Sequence, residues 1–183
     1  MGLFDFLKKK EEKPSYDVTN LRVTDLNKGF IFEYDLKSWV VQSVFQYDWG
    51  NNYYSKEYKV RDGTEERFLS VDEDDGIFIT LTKKIKVRAV KEDLPEEILK
   101  NDTPPKKLEY DGKTFYYEGE EIGDFRDMDD TSGKTAKFIS WEYYDDDDKF
   151  TLVIEQWGEE DFEASYGNVI KEFEISNIIP GEK

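Results

Sequence analysis

The chain contains no cysteine and no histidine, and these absences exclude more chemistry than any motif in it suggests. Without cysteine there is no disulfide framework, no thiolate nucleophile and no thiolate zinc site. Without histidine there is no Ser-His-Asp triad and no imidazole to shuttle protons near neutral pH. Any catalysis would have to use carboxylates, lysine or tyrosine, or a hard metal ion held by oxygens. Basic residues are scarce beside acidic ones, 26 against 43, for a net charge of −17. Such a surface repels phosphate backbones and anionic headgroups. Nucleic acid is therefore not an expected partner, whereas a cationic protein partner or plain solubility fits. No apolar run is long enough to predict a transmembrane helix. The N-terminus lacks the apolar region of a secretory signal, and the expected location is cytoplasmic. No P-loop, GxGxxG or GxSxG motif occurs, and no cofactor is expected.

Aromatic residues are plentiful. Thirteen Phe, 12 Tyr and 4 Trp make up 16% of the 183 residues, enough to build a core despite low hydropathy. Residues 1–13 stand apart as an amphipathic tip. Leu3, Phe4, Phe6 and Leu7 gather on one side of a short N-terminal helix, and Lys8, Lys9 and Lys10 follow. An apolar tip followed by bases suits peripheral contact with a membrane or a groove on a partner. Phe6 stands where a myristoylation signal has Ser or Thr, so lipidation is not expected.

Beyond Pro14 the patterning is that of strands. From Trp39 to Trp49 the odd positions carry Trp39, Val41, Ser43, Phe45, Tyr47 and Trp49, a period-two pattern that predicts one buried face. Gly50-Asn51-Asn52 then reads as a turn, and 39–60 as a hairpin. Further strands are expected at 68–71, 77–87, 107–111, 114–118, 138–144, 150–157 and 170–179. The stretch 119–134, rich in Gly, Asp and Ser, reads as a loop, and 161–169 as mixed. The linker 92–105 carries room for one helical turn with Pro95 near its start, and Pro104-Pro105 ends it.

The chain therefore divides into a tip (1–13), a first β unit (14–91), the linker (92–105) and a second β unit (106–183). The units echo each other. FEYDLKSW from Phe32 to Trp39 parallels LEYDGKTF from Leu108 to Phe115, and Glu57-Tyr58 parallels Glu142-Tyr143. The expected fold is mostly β: two related antiparallel units, barrel- or sandwich-like, with a short N-terminal helix. An exposed sheet edge would also permit a homo-oligomer.

Three candidate sites were weighed. The acidic turns Asp72 to Gly76 and Asp145 to Asp148 offer oxygen ligands, but their spacing does not match an EF-hand loop, and no metal site is assigned. Glu57, Glu142 and Glu155 lie within strands, where a pocket would raise a carboxyl pKa. With 43 acidic residues some are expected there by number alone, and no catalytic residue is assigned. Trp39, Tyr47, Trp49, Tyr54, Tyr58, Trp141, Tyr143, Trp157 and Tyr166 would serve equally as core or as the lining of an aromatic pocket.

Glu33-Tyr34-Asp35 with Trp39-Val40-Val41, Tyr110 to Tyr116, Glu142-Tyr143, Leu152 to Gly158 and Ala164 to Gly167, in that order, resemble the bacterial domain-of-unknown-function 4178 family. The chain departs from that pattern at Thr24, where a Gly commonly precedes the Asp. The resemblance brings no catalytic residues. It implies an accessory role near the cytoplasmic face of the membrane, beside membrane-stress proteins. The expected function is accordingly a non-enzymatic cytoplasmic adaptor or scaffold that binds a protein partner. The alternative is a small-ligand-binding β protein with an aromatic pocket between its halves.

Overall fold

Alternation with period two makes strands in this chain, and residues that tolerate left-handed φ reverse them. The computed structural model describes residues 20–74 and 76–181. The tip residues Leu3, Phe4, Phe6, Leu7, Lys8, Lys9 and Lys10 lie outside the described residues. The first half carries β1 (Ile31–Tyr34), β2 (Lys37–Gly50), β3 (Tyr53–Arg61), β4 (Glu66–Asp72) and β5 (Phe78–Ile85). Two helices follow, α1 (Val87–Val90) and α2 (Leu94–Asn101). The second half carries β6 (Lys107–Tyr110), β7 (Lys113–Asp127), β8 (Ala136–Tyr144), β9 (Phe150–Gln156), β10 (Phe162–Ile170) and β11 (Ser176–Ile179).

Strand order is β11-β1-β2-β3-β4-β5-β10-β9-β8-β7-β6, and β2 also pairs with β7. That last pairing sets Phe45 to Asp48 against Asp127 to Asp124. It closes β2-β3-β4-β5-β10-β9-β8-β7 into an antiparallel ring of eight strands. The ring is mostly self-sealing, because closure removes sheet edges. The two long strands make it possible. The first part of β2 pairs with β1 and its last part with β7. The first part of β7 pairs with β6 and its last part with β2.

A bulge sits between those two parts in each long strand. Val41 and Ser43 face Val60 and Lys59, leaving Gln42 out of register. Tyr117 and Gly119 face Tyr143 and Glu142, leaving Glu118 out of register. One extra residue flips every later side chain to the other face. This corrects the single face expected from Trp39 to Trp49. Trp39 and Val41 belong to an apolar cluster on the outer face, whereas Tyr47 and Trp49 line the interior.

Most aliphatic residues of the wall point outwards into two clusters. In the first, Tyr58, Val60, Leu69, Val71, Ile79 and Leu81 pack against Val23, Leu26, Phe32, Ile170 and Ile175. In the second, Trp141, Tyr143, Leu152, Ile154 and Tyr166 pack against Leu94, Ile98, Leu108 and Phe115. Helix α2 exists largely to cover that second cluster. Pro95 starts it, Leu94 and Ile98 bury its inner side, and Asp102 ends it with φ 56°. The C-terminal residues return to the first half, where β11 pairs with β1 and Arg22 bonds Glu172 at 3.1 Å.

Three other expectations are corrected. The loop expected at 119–134 is strand as far as Asp127. Gly123 is needed there, because a Cβ would lie 2.9 Å from the Trp49 ring. The mixed stretch 161–169 is the strand β10, in which a Cβ on Gly167 would lie 2.0 Å from the Leu81 carbonyl oxygen. The last strand expected from Ile170 to Ile179 is broken by a 3-10 turn at Glu172–Glu174 before β11.

Candidate functional site: the ring interior

With most aliphatic residues turned outwards, the alternate positions of all eight ring strands face a cavity of about 500 Å³. Rings of eight strands are wide enough either to be filled by side chains or to hold one small ligand. Here the filling is incomplete, because much of the wall is built from short hydroxyl side chains. Ser55, Ser70, Thr80, Thr82, Ser140, Thr151 and Ser165 all line it. Glu57, Glu121, Glu142, Glu155 and Lys84 add charge, with Asp72 at the end of β4 and Asp74 on the turn between β4 and β5. Tyr47, Trp49, Tyr53, Phe78 and Tyr144 supply rings.

Three carboxylates of the interior, Glu57, Glu142 and Asp72, accept from tyrosine hydroxyls. Tyr47 donates to Glu57 Oε1 at 3.0 Å, and Tyr144 donates to Glu142 Oε2 at 3.0 Å. Lys84 Nζ donates to Glu155 Oε2 at 3.0 Å and to Glu163 Oε2 at 2.6 Å. Trp49 Nε1 donates to Ser55 Oγ at 2.9 Å, and the Tyr53 hydroxyl to Asp72. Burial, and then the negative charge of Glu155, push the Glu57 carboxyl up to about 7. Burial raises Glu142 as well, with Glu121 and Asp72 adding to it. Burial works against the Lys84 ammonium, but the surrounding carboxylates of Glu155, Glu57 and Glu163 outweigh it and hold the group charged.

Aromatic rings on the same strand face pack together beside this cluster. Phe138 stacks on Trp157 at 4.7 Å, and Phe125 meets Trp157 at 5.3 Å and Phe45 at 5.2 Å. Tyr47 meets Phe125 at 5.5 Å and Phe138 at 5.4 Å. Such edge and stacked contacts make a stiff apolar block against which the polar cavity ends.

With this geometry established, comparison with known proteins gives the family. The model described as a domain of unknown function, DUF4178, matches residues 27–172. The chain belongs to that family. The matched span contains every strand of the ring and leaves out β11. An uncharacterized protein of Aquifex aeolicus (strain VF5) is 28% identical over 193 residues, covering 98% of this chain and 99% of the relative. No solved structure matches the chain.

The residues singled out from sequence are sorted by this DUF4178 fold in a definite way. Glu57, Glu142 and Glu155 all reach the one cavity. Of the aromatic candidates, Tyr47 and Trp49 line it. Trp39 and Tyr58 lie in the first outer cluster, and Trp141, Tyr143 and Tyr166 in the second. Tyr54 is exposed, and Trp157 joins the aromatic block. The acidic turn at Asp145 is occupied with itself, since Asp145 Oδ1 accepts from the backbone N–H groups of Lys149 and Phe150 at 2.8 and 2.9 Å. Sequence reasoning missed Lys84 and the seven hydroxyl residues. The available signal was alternation in which both sets were due for burial and one set was Ser, Thr and Glu.

Proposed function

We propose that this protein binds a small polar ligand inside the eight-stranded ring. One observation carries the reading: the interior wall is built from hydroxyl and carboxylate side chains that leave about 500 Å³ unfilled. A ring serving only as a scaffold gains by filling that space with Val, Leu and Ile, worth about 1.5–3 kcal/mol per buried side chain. A cavity with few, convergent polar groups and displaced carboxyl pKa values is the usual form of a ligand site. The protein is read as a binder rather than an enzyme, because the lysine of the cavity is engaged by two carboxylates.

The test is tryptophan fluorescence of the full chain against a metabolite library. Trp49 faces the cavity, whereas Trp39 and Trp141 sit in the outer clusters and act as references. A responding ligand should lose its effect in the filled variants Ser140→Trp and Thr80→Phe, each checked for folding by circular dichroism. Responses identical in the filled variants would sink the reading.

A second reading, an adaptor docking a protein partner at the cytoplasmic face of the membrane, is favoured by exposed apolar side chains near one sheet edge. Leu36 and Phe173 are 105% and 85% exposed, and Ile179 of the edge strand β11 is exposed too. A pull-down from host lysate with membranes included, comparing the full chain with residues 14–183, tests it; retention of nothing by either form sinks it. The finer description of the fold, two related units from an internal duplication, is supported by the matching series β1–β5 and β6–β10, by the bulges at Gln42 and Glu118, and by Glu57-Tyr58 and Glu142-Tyr143 at corresponding places.

A further inference from the structure

We infer that the ligand of the ring interior is an organic cation carrying ammonium groups, held between carboxylates and ring faces. The inference rests on the reading of the interior as a ligand site and narrows it to one chemical class.

The charge balance of the wall comes first. Among the described residues six acidic side chains line the cavity, Glu57, Asp72, Asp74, Glu121, Glu142 and Glu155, against the single cation Lys84. That cation is already committed, to Glu155 at 3.0 Å and Glu163 at 2.6 Å. Among the described residues no ion pair reaches Glu57 or Glu142. Each accepts a tyrosine hydroxyl on one oxygen and has lone pairs left over. An anion entering this space would meet uncompensated negative charge, and a neutral ligand would leave that charge buried and unpaired. An ammonium ion supplies what is missing, three donors and a positive charge.

The shape of the site separates an organic cation from a metal ion. Among the described residues no three acidic side chains converge to hold one metal. The carboxylates are spread over different strands, with Glu57 on β3, Glu142 on β8 and Glu121 on β7. A point charge satisfies one of them, whereas an extended molecule with more than one ammonium reaches several. The rings add a second source of attraction. Tyr47, whose hydroxyl donates to Glu57, lies stacked on Trp49 at 5.7 Å on the wall, and ring faces attract ammonium groups. The net charge of −17 also draws cations towards the protein at low salt.

The experiment uses three molecules of similar length, 1,4-diaminobutane, butane-1,4-diol and succinate, titrated calorimetrically into the full chain at neutral pH and low salt. The diamine should bind, and the diol and the dicarboxylate should not. Affinity should fall about tenfold in Glu142→Gln and in Glu57→Gln, the loss of one charged hydrogen bond, and should vanish in Ser140→Trp and Thr80→Phe. Trp49 fluorescence should respond to the diamine and report the same affinity. Silence towards the diamine overturns the inference. Binding of the diol or succinate that the filled variants abolish also overturns it, while leaving the interior as a ligand site. Diamine binding that survives in both filled variants and both glutamine variants places the amine on the acidic exterior and overturns it as well. If nothing in the metabolite library or this set responds differently in the filled variants, the interior reading falls too.

Discussion

The two faces of one wall differ more than the two halves of the chain do. On β8 the inward residues are Ser140, Glu142 and Tyr144, and the outward ones are Trp141 and Tyr143. On β9 they are Thr151, Val153 and Glu155 inside, with Leu152 and Ile154 outside. On β4 and β5, Ser70, Thr80 and Thr82 face in, and Leu69, Val71, Ile79 and Leu81 face out. Most rings of this size keep their apolar residues inside. Here the second face of the wall is covered by β1, β11 and the 20–30 segment on one side and by β6 and α2 on the other, so the aliphatic burial lies outside the ring, while the block of Phe125, Phe138 and Trp157 packs at one end of the interior. The rest of the interior, the polar cavity, is thereby relieved of holding the fold together. Adjacent residues such as Glu57 and Tyr58 can answer to different requirements, one to a ligand and the other to packing.

The most severe way to break this arrangement is to remove the bulge that creates it. Deleting Gln42 restores a regular register in β2 and turns Tyr47 and Trp49 outwards. The pairing of β2 with β7 then presents the wrong faces, and the ring should not close. The expected outcome is loss of cooperative unfolding and of near-ultraviolet dichroism; a cooperatively folded deletion variant would show that face assignment does not depend on the bulge. Next in size is Trp141→Ala, which removes a ring 1% exposed from the second cluster. It should cost about 3–5 kcal/mol in urea denaturation. Its neighbour Ser140→Ala, on the inner face, should stay within about 1 kcal/mol. Equal losses would erase the distinction between the faces.

The sequence carried much of the wall and little of its closure. The hairpin at 39–60 was legible because Gly50-Asn51-Asn52 marks the reversal, and Asn51 and Asn52 do take φ 53° and 63°. The bulges were not, since Gln42 and Glu118 have no residue signature, and without them Trp39 to Trp49 reads as a single face. The second half of β7 was hidden by Gly119, Gly123 and their acidic neighbours, which mimic a loop. Those features come from tertiary demands: Gly123 gives way to the Trp49 ring, and Glu120 accepts from Trp141 Nε1 at 2.7 Å. The interior was half legible. The carboxylates Glu57, Glu142 and Glu155 could be named as strand residues, but the pocket expected between the halves was aromatic, and of its candidate rings only Tyr47 and Trp49 line the cavity. The long-range contact of β2 with β7 that brings these residues together could not be named.

The interior also predicts a pH dependence that the outer clusters do not share. The Glu57 carboxyl faces Glu155, Glu163, Lys84 and the Tyr47 hydroxyl, and it is pushed from the ordinary 4.5 up to about 7. The folded chain therefore binds this proton more tightly than the unfolded chain does. Stability from this group is fully present below about pH 4.5 and is lost as pH rises to about 7, by at most ~1.4 kcal/mol per pH unit. Glu142 and Glu121 are also raised and act in the same sense. Asp62 is lowered by the backbone N–H groups of Glu65 and Thr64 and by Lys37, and Glu65 by Lys37 and Arg67; both act oppositely at lower pH. Glu57→Gln should match the parent near pH 4.5 and exceed it at pH 8 by about 1–3 kcal/mol. Denaturation series at pH 4.5, 6 and 8 measure this, and parallel curves for the two proteins would remove Glu57 from the account.

The smallest effect compares the halves through the paired tyrosines of their outer clusters. Tyr58 on β3 and Tyr143 on β8 are both 0% exposed. Their hydroxyls fare differently. Tyr143 donates to the Pro105 carbonyl at 2.8 Å, in the chain leading from α2 into β6. The Tyr58 hydroxyl is buried with no hydrogen-bond partner among the described residues. A buried hydroxyl without a partner loses its hydration and gains nothing, whereas a satisfied one contributes about 1 kcal/mol net. Tyr143→Phe should therefore cost about 1 kcal/mol, and Tyr58→Phe should be neutral or stabilising by up to about 1 kcal/mol. Urea denaturation of the two variants side by side decides it: equal losses would give Tyr58 a hydrogen-bond partner and make the two halves more alike than their side-chain geometry indicates.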